Sequence, residues 1–366
     1  GITAAGAFTQ SGAGANSLAG NVSLTLDSAA LSFATAVTLT GNVVFSTTNG
    51  AATFAEVVDG TADNDQNLTL NAGTGVVTFA KALGAVKKLG DVVANSTGAT
   101  KFQGAVLAKS LTTNAGGSTE LSADVTTTAA QSFGDALSLK NNIILAGTDI
   151  TLAQTVNSDG TARTLQVTGS GVTTFGGIVG GTAELASLTV DGGGTTLLNA
   201  GTVTTAGAQS YTDAVTLGAD TTLVTTNSSV GFTSTLNSLA SLSAPATLSI
   251  TAGTGNITLG GIVGGATGGA LGAVTLVSAT NVGINAAFTA ASLTQQAGAG
   301  SGTTIIGGAT TLTGALGFTG GNLVINAAVG AGGTVSFTGS ALTVNAAVTA
   351  GGAVTVANTG TFTTSA

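Results

Sequence analysis

The feature that most constrains this chain is repetition at a short period. Leu323-Val324-Ile325-Asn326-Ala327-Ala328-Val329 returns nineteen residues later as Leu342-Thr343-Val344-Asn345-Ala346-Ala347-Val348, and Gly332-Gly333 returns as Gly351-Gly352 at the same spacing. Val335 and Phe337 map onto Val354 and Val356. Each unit carries apolar residues at i and i+2, the alternation of a half-buried strand, between glycine-rich corners. A unit this short, with two or three strands, cannot bury an apolar face alone and must stack on its neighbours.

A longer period overlies the short one. Gln131-Ser132-Phe133-Gly134-Asp135-Ala136-Leu137-Ser138-Leu139 matches Gln209-Ser210-Tyr211-Thr212-Asp213-Ala214-Val215-Thr216-Leu217, with an earlier copy in Phe33 to Leu39. Leu68 to Gly75 recurs at Leu165 to Gly171 and at Leu248 to Gly255, and the corner Gly176 to Gly181 returns as Gly260 to Gly265. The expected architecture is all-β: a parallel β-helix, or β-solenoid, of about 19–20 residues per coil, running as one continuous solenoid over 1–366. At that coil length the chain makes roughly 18–19 turns. Leu323, Ile325, Val335 and Phe337 point inward, and their Thr, Ser and Asn neighbours point outward. Ala80 to Leu89 is expected to be a variant corner, with room for a helical turn.

Composition narrows the function classes. The chain has 58 Gly and one Pro, and no Cys, Met, Trp or His. Only 6% of residues are charged, against roughly 25% in ordinary soluble domains. Without His or Cys, the commonest general base, thiolate chemistry and disulfides are missing. Arg163 is the sole Arg, so the Asp-plus-base clusters of polysaccharide-processing sites have little to draw on. The expectation is that the protein is not an enzyme. A net charge of −8 disfavours nucleic acid and anionic membranes. No apolar run reaches the roughly 18 residues of a membrane-spanning helix. Charge divides the chain into repeats that bear it, 1–220, and uncharged repeats, 221–366, because no charged residue follows Asp220. Gly1 reads as the start of a mature or excised segment.

Few constellations carry chemistry. The densest acidic cluster, Asp59-Gly60-Thr61-Ala62-Asp63-Asn64-Asp65-Gln66-Asn67, offers Asp59, Asp63 and Asp65 as calcium ligands. The competing reading is a solvated turn, since Asp159-Gly160-Thr161-Ala162 repeats its first half without the other acids. No other cofactor is expected. Gln131/Asp135 and Gln209/Asp213 read as two copies of one coil corner rather than a repeated ligand site, with Phe133 and Tyr211 as core aromatics. The glycine clusters lack the Lys-Ser/Thr of a phosphate loop. Asn326 and Asn345, with Asn285 in a similar heptad, are placed to hydrogen-bond along the axis as a ladder.

The 19-residue unit and copies such as Gly207 to Leu217 resemble the filamentous-haemagglutinin type of bacterial exoprotein, exported by two-partner secretion, and related autotransporter adhesin passengers. The resemblance spans essentially the whole chain. It implies a right-handed parallel β-helix at a bacterial cell surface or in the extracellular medium, acting as an adhesive or structural stalk. An Asn-Pro-Asn-Leu secretion motif and an Arg-Gly-Asp tripeptide do not occur.

The function expected is a structural, adhesive, extracellular fibre segment. The C-terminal strand region Thr361, Phe362, Thr363 and Thr364 carries neither charge nor Pro to protect an edge. The chain is therefore expected to self-associate head to tail, or to continue into further repeats, and its outer partners to be glycans or cell surfaces. Two alternatives are an ice- or surface-binding solenoid, prompted by Thr221-Thr222 and Thr225-Thr226, and a carbohydrate-binding or -processing β-helix.

Overall fold

The structure, a computed structural model, describes residues 1–296 and 302–365. Among these residues there are 46 strands and no helix. The chain divides into two compact units, Gly1–Ala183 and Glu184–Ala366. Each is a β-solenoid built of parallel strand ladders, and between them they hold about 17 turns. Three strand positions recur in a coil. In one they are Leu342–Val344, Val348–Ala350 and Val354–Asn358.

The turn count falls below the 18–19 expected because many coils are longer than the shortest repeat. Val329 pairs with Val348, nineteen residues on, but Thr221 pairs with Leu248, where a loop over Leu239 to Pro245 is inserted. The insertions sit at corners, so period varies while most ladders stay in register; single shifts occur at the strand ends, between Leu24 and Asp27, Asn71 and Gly73, and Ile250 and Thr251.

Side-chain alternation follows the sequence. In the strand Val43–Thr48, Val43, Phe45 and Thr47 are buried while Val44 and Ser46 are partly exposed. Leu323, Ile325, Val335 and Phe337 are all buried, as their periodicity predicts. Parallel pairing then stacks like on like. Phe33 pairs with Phe54, Phe54 with Phe79, and Phe79 with Phe102. Their rings form a continuous stack, with centroids 5.4, 5.1 and 5.4 Å apart. Burying each ring contributes about 1.5–3 kcal/mol, and stacking adds about 0.5–1.5 kcal/mol per pair.

One corner recurs in both units. Leu83, Val179 and Val263 each form a single-residue bridge, and the glycine that follows has a positive φ: Gly84 at 71°, Gly180 at 70° and Gly264 at 68°. The N–H of each glycine donates to a carbonyl one coil back, that of Val58, Val156 and Leu236 respectively, at 2.7–2.8 Å. A Cβ on Gly264 would lie 2.1 Å from the Thr289 carbonyl oxygen. Ala80 to Leu89 is such a corner, and it contains no helical turn.

Asn and Asp side chains tie one coil to the next. Asn345 Nδ2 donates to Asn326 Oδ1 at 2.9 Å, and the Ser365 hydroxyl extends the ladder to Asn345 Oδ1 at 2.8 Å. Asn95 to Asn71 and Asn281 to Asn256 make the same bond. Asn285 stands outside the ladder, because the next coil has Gly307 at its position, after the Ile284–Ile306 pair. A second pattern is more frequent: a corner Asn or Asp accepts from a backbone N–H of the following coil. Examples are Asn21 from Val44, Asn142 from Thr164, Asp149 from Val172, Asp220 from Thr247 and Asn227 from Thr254, at 2.7–3.0 Å. These bonds satisfy N–H groups in corners and near strand starts that have no carbonyl partner in the preceding coil.

Candidate functional site

The acidic corner is built from the turn after the strand Val58–Asp59. Asp59 is buried and its Oδ1 accepts from the Val86 N–H at 2.9 Å. Asp63 Oδ1 accepts from the Lys88 N–H at 2.9 Å, and its Oδ2 lies 3.4 Å from Lys87 Nζ. The Lys88 N–H, with the positive charge of Lys87, holds the Asp63 carboxyl below its ordinary value. Asp65 Oδ2 accepts from Gln66 Nε2 at 2.6 Å, while Gln66 Oε1 caps the Thr61 and Ala62 N–H groups. The three acids thus face different partners, and two of them fasten the next coil's corner. Among the described residues no set of three acidic side chains is arranged to hold a metal ion.

At the related Asp159 corner, Arg163 replaces the missing acids. Its Nε and Nη2 donate to Asp159 Oδ1 and Oδ2 at 3.1 and 3.2 Å, and this pairing lowers the Asp159 carboxyl. Elsewhere in the first unit, charge is matched across coils: Lys101 and Lys140 flank Glu120 at 3.6 and 3.9 Å, and Lys109 meets Asp91 at 3.6 Å. Such partly exposed pairs contribute at most about 1 kcal/mol each.

The Gln–Asp copies are interior features, one in each unit. Gln131 Nε2 donates to the carbonyls of Val125 and Ala146 and approaches the Thr127 hydroxyl; Gln209 Nε2 makes the same three contacts with Val203, Val224 and Thr205. Asp135 and Asp213 are 1% and 4% exposed. Asp135 Oδ1 accepts from the Gly117 N–H at 2.8 Å and Oδ2 from the Thr119 hydroxyl at 3.2 Å. Asp213 Oδ1 accepts from the Gly193 N–H at 2.9 Å, but its Oδ2 has no partner, and neither does the equivalent hydroxyl, Thr196 Oγ1. Burial raises both carboxyls above their ordinary value; the nearby Asp191 charge adds to the rise at Asp213. These groups serve as inter-coil tethers, and their recurrence reflects a repeated coil. Sequence reading found the pair but not its burial, because Gln and Asp ordinarily mark a surface.

Thr221 and Thr225 point into the core of the second unit, Thr222 is half-buried and Thr226 is exposed. The two Thr pairs therefore do not make one flat outward face.

The remaining candidate is the C-terminal coil of the second unit. Among the described residues, the strands Val348–Ala350, Val354–Asn358 and Phe362–Thr364 pair on one side only, with Val329–Ala331, Val335–Gly339 and Leu342–Val344. Their other edge is open, and the apolar interior is exposed along it. Val354 is 59% and Phe362 55% exposed, over the buried Val335 and Leu342. The resulting groove, about 380 Å³, is lined by Phe337, Val344, Val348, Val354, Val356 and Phe362 among others. No family model, curated protein or solved structure matches the chain.

Proposed function

We propose that this chain is a structural and adhesive segment of an extracellular fibre, of the filamentous-haemagglutinin type, that works without catalysis. It lengthens by adding coils to its C-terminal edge, supplied by a second copy or by further repeats. The observation that carries this reading is the run of stacked parallel coils in each unit, tied coil to coil by the Asn345–Asn326 ladder and by the ring stack from Phe33 to Phe102. A solenoid of this kind grows by stacking one more coil on the last. The polar interior supports the same reading: Gln131, Gln209 and Asp135 are spent on holding coils together.

The test is immunogold electron microscopy of intact producing cells, with antibody raised to this chain. Label along external fibres is the expected result. Label confined to the cell interior would overturn the extracellular assignment. The adhesive part is checked separately on a glycan array, where specific, saturable binding is expected and binding no greater than that of an unrelated β protein would remove it.

A further inference from the structure

We infer that the second unit binds a calcium ion at its Gly192-Gly193-Gly194 corner, with Asp213 Oδ2 and the Thr196 hydroxyl as buried ligands and Asp191 supplying the second negative charge. The site is separate from the corner that carries Asp59, Asp63 and Asp65, and its function is independent of the fibre reading.

Charge divides unevenly between the two units. All seven Lys and Arg residues lie between Lys81 and Arg163, inside the first unit. There Asp63, Asp91, Glu120 and Asp159 each sit beside one of them. The second unit carries four acids, Glu184, Asp191, Asp213 and Asp220, and has no basic side chain to offer them. A buried carboxylate in that unit is neutralised by a proton or by a cation from solution.

Asp213 is such a group. It is 4% exposed and its Oδ2 has no hydrogen-bond partner; Thr196 is 1% exposed and its Oγ1 has none either. The closed copy of this corner in the first unit shows that the two atoms belong together. Thr119 is in register with Leu137, two residues after Asp135, and Thr196 with Val215, two residues after Asp213. In the first unit the Thr119 hydroxyl donates to Asp135 Oδ2 at 3.2 Å and closes the pair. In the second unit the equivalent bond is not made, although the carboxylate's other oxygen is held in the same way. Asp135 Oδ1 accepts from Gly117, two residues before Thr119, and Asp213 Oδ1 from Gly193, three residues before Thr196. The corner in the second unit is therefore one residue longer.

That extra length makes room. A Cβ on Gly117 would lie 2.2 Å from the Gly98 carbonyl oxygen, whereas one on Gly193 would meet nothing within 4 Å. Gly192 and Gly193 are exposed, with φ of 122° and 82°, so the corner gives the buried oxygens a route to solvent. Asp191, immediately before the glycines, is near enough for its charge to act on Asp213. Every side-chain donor here is a hard oxygen, which excludes a preference for soft metals. Two carboxylates match a divalent ion. Calcium takes about six to eight oxygens in flexible geometry, which a glycine turn with its carbonyls and water can complete, while magnesium demands a near-ideal octahedron.

The test uses the purified chain, stripped with a chelator and titrated with calcium. Equilibrium dialysis counts the bound ion, and hydrogen exchange locates it. One saturable site per chain is expected, with slowed exchange at residues 191–215. Asp213→Asn should abolish both signals. Asp191→Asn, at a partly exposed position, should weaken binding even if the first variant folds poorly. Asp135→Asn, at the closed copy of the corner, should leave both signals as in the parent. Circular dichroism checks that each variant keeps the β signal. Absence of saturable binding would overturn the inference, as would calcium binding that survives Asp213→Asn or slowed exchange confined to residues 59–67. An equal response to magnesium would overturn the assignment to calcium.

Discussion

The Tyr211 hydroxyl donates to Gln209 Oε1 at 3.2 Å inside the second unit, and both groups are fully buried. The equivalent position in the first unit is Phe133, and there Gln131 Oε1 has no partner. A single oxygen atom separates a satisfied interior amide from an orphaned one. Removing one partner of a buried hydrogen bond costs about 1–3 kcal/mol. Tyr211→Phe is therefore expected to destabilise the local coils by about 1–2 kcal/mol. Hydrogen exchange at residues 209–232 reads this locally, which suits a stacked repeat better than a global melt. Unchanged protection there would show that the bond contributes nothing net.

The buried carboxyls predict a pH dependence. Asp135 and Asp213 bind a proton more tightly in the fold than in the unfolded chain, because their pKa values are raised. Their contribution is thus most favourable below the unfolded value near 3.8 and is lost as pH rises through the higher folded value. The parent should gain stability on acidification from neutrality toward that range relative to an Asp135→Asn/Asp213→Asn variant. At neutral pH, Asp213→Asn should raise stability by about 1 kcal/mol, since an amide nitrogen can donate to the orphaned Thr196 hydroxyl. Denaturant unfolding from pH 4 to 8 checks both; parallel pH profiles for parent and double variant would refute the account.

Asp63 and Asp159 act in the opposite sense. Their carboxyls are lowered by Lys88 and Arg163 respectively, so their contribution holds above the unfolded value and disappears as pH falls through the folded one. Both are exposed enough that the effect is small. Faster proteolytic nicking at the 59–67 and 159–163 corners as pH falls below the ordinary carboxyl value of 3.8 is the expected signature, against no change in cleavage pattern.

The corner glycine supplies a backbone test. Gly264→Ala sets a Cβ against the Thr289 carbonyl at a φ of 68°, a combination expected to cost about 1–3 kcal/mol. Gly6→Ala in the isolated chain should cost far less, because nothing lies within 4 Å. Equal losses in thermal denaturation would mean that glycine composition, not close approach, sets corner stability.

Phe79 sits in the middle of the ring stack between Phe54 and Phe102. Phe79→Ala removes a fully buried ring and is expected to cost about 3–5 kcal/mol. The loss should appear as faster exchange in the coils on either side, with distant coils of the unit unaffected. Loss of protection throughout the unit would show that its coils unfold as one.

Much of this fold was legible because period and alternation depend on residue type alone. The inward set Leu323, Ile325, Val335 and Phe337, the Asn326–Asn345 ladder and the repeated 176–181 and 260–265 corners all follow from spacing. What escaped is non-local. Nothing in Asp135 or Asp213 reveals that a neighbouring coil's N–H will be buried against it, and polar residues default to the surface. The corner Asn and Asp staples were hidden for the same reason, since their partners lie some twenty or more residues away. The hydrogen bonds of Asp59, Asp63 and Asp65 to Val86, Lys88 and Gln66 are equally invisible in sequence, since two of those partners lie on another coil. The shortest repeat also overstated the number of turns, because the inserted corner before Leu248 leaves no periodic signal.

The central claim is that these stacked coils belong to a self-associating fibre. Cryo-electron microscopy of the purified chain tests it most directly. The account predicts filaments in which strand density continues along the fibre at the spacing of about 4.8 Å found within a sheet. Discrete particles at high concentration, with the Val354 and Phe362 side chains still open to solvent, would contradict it.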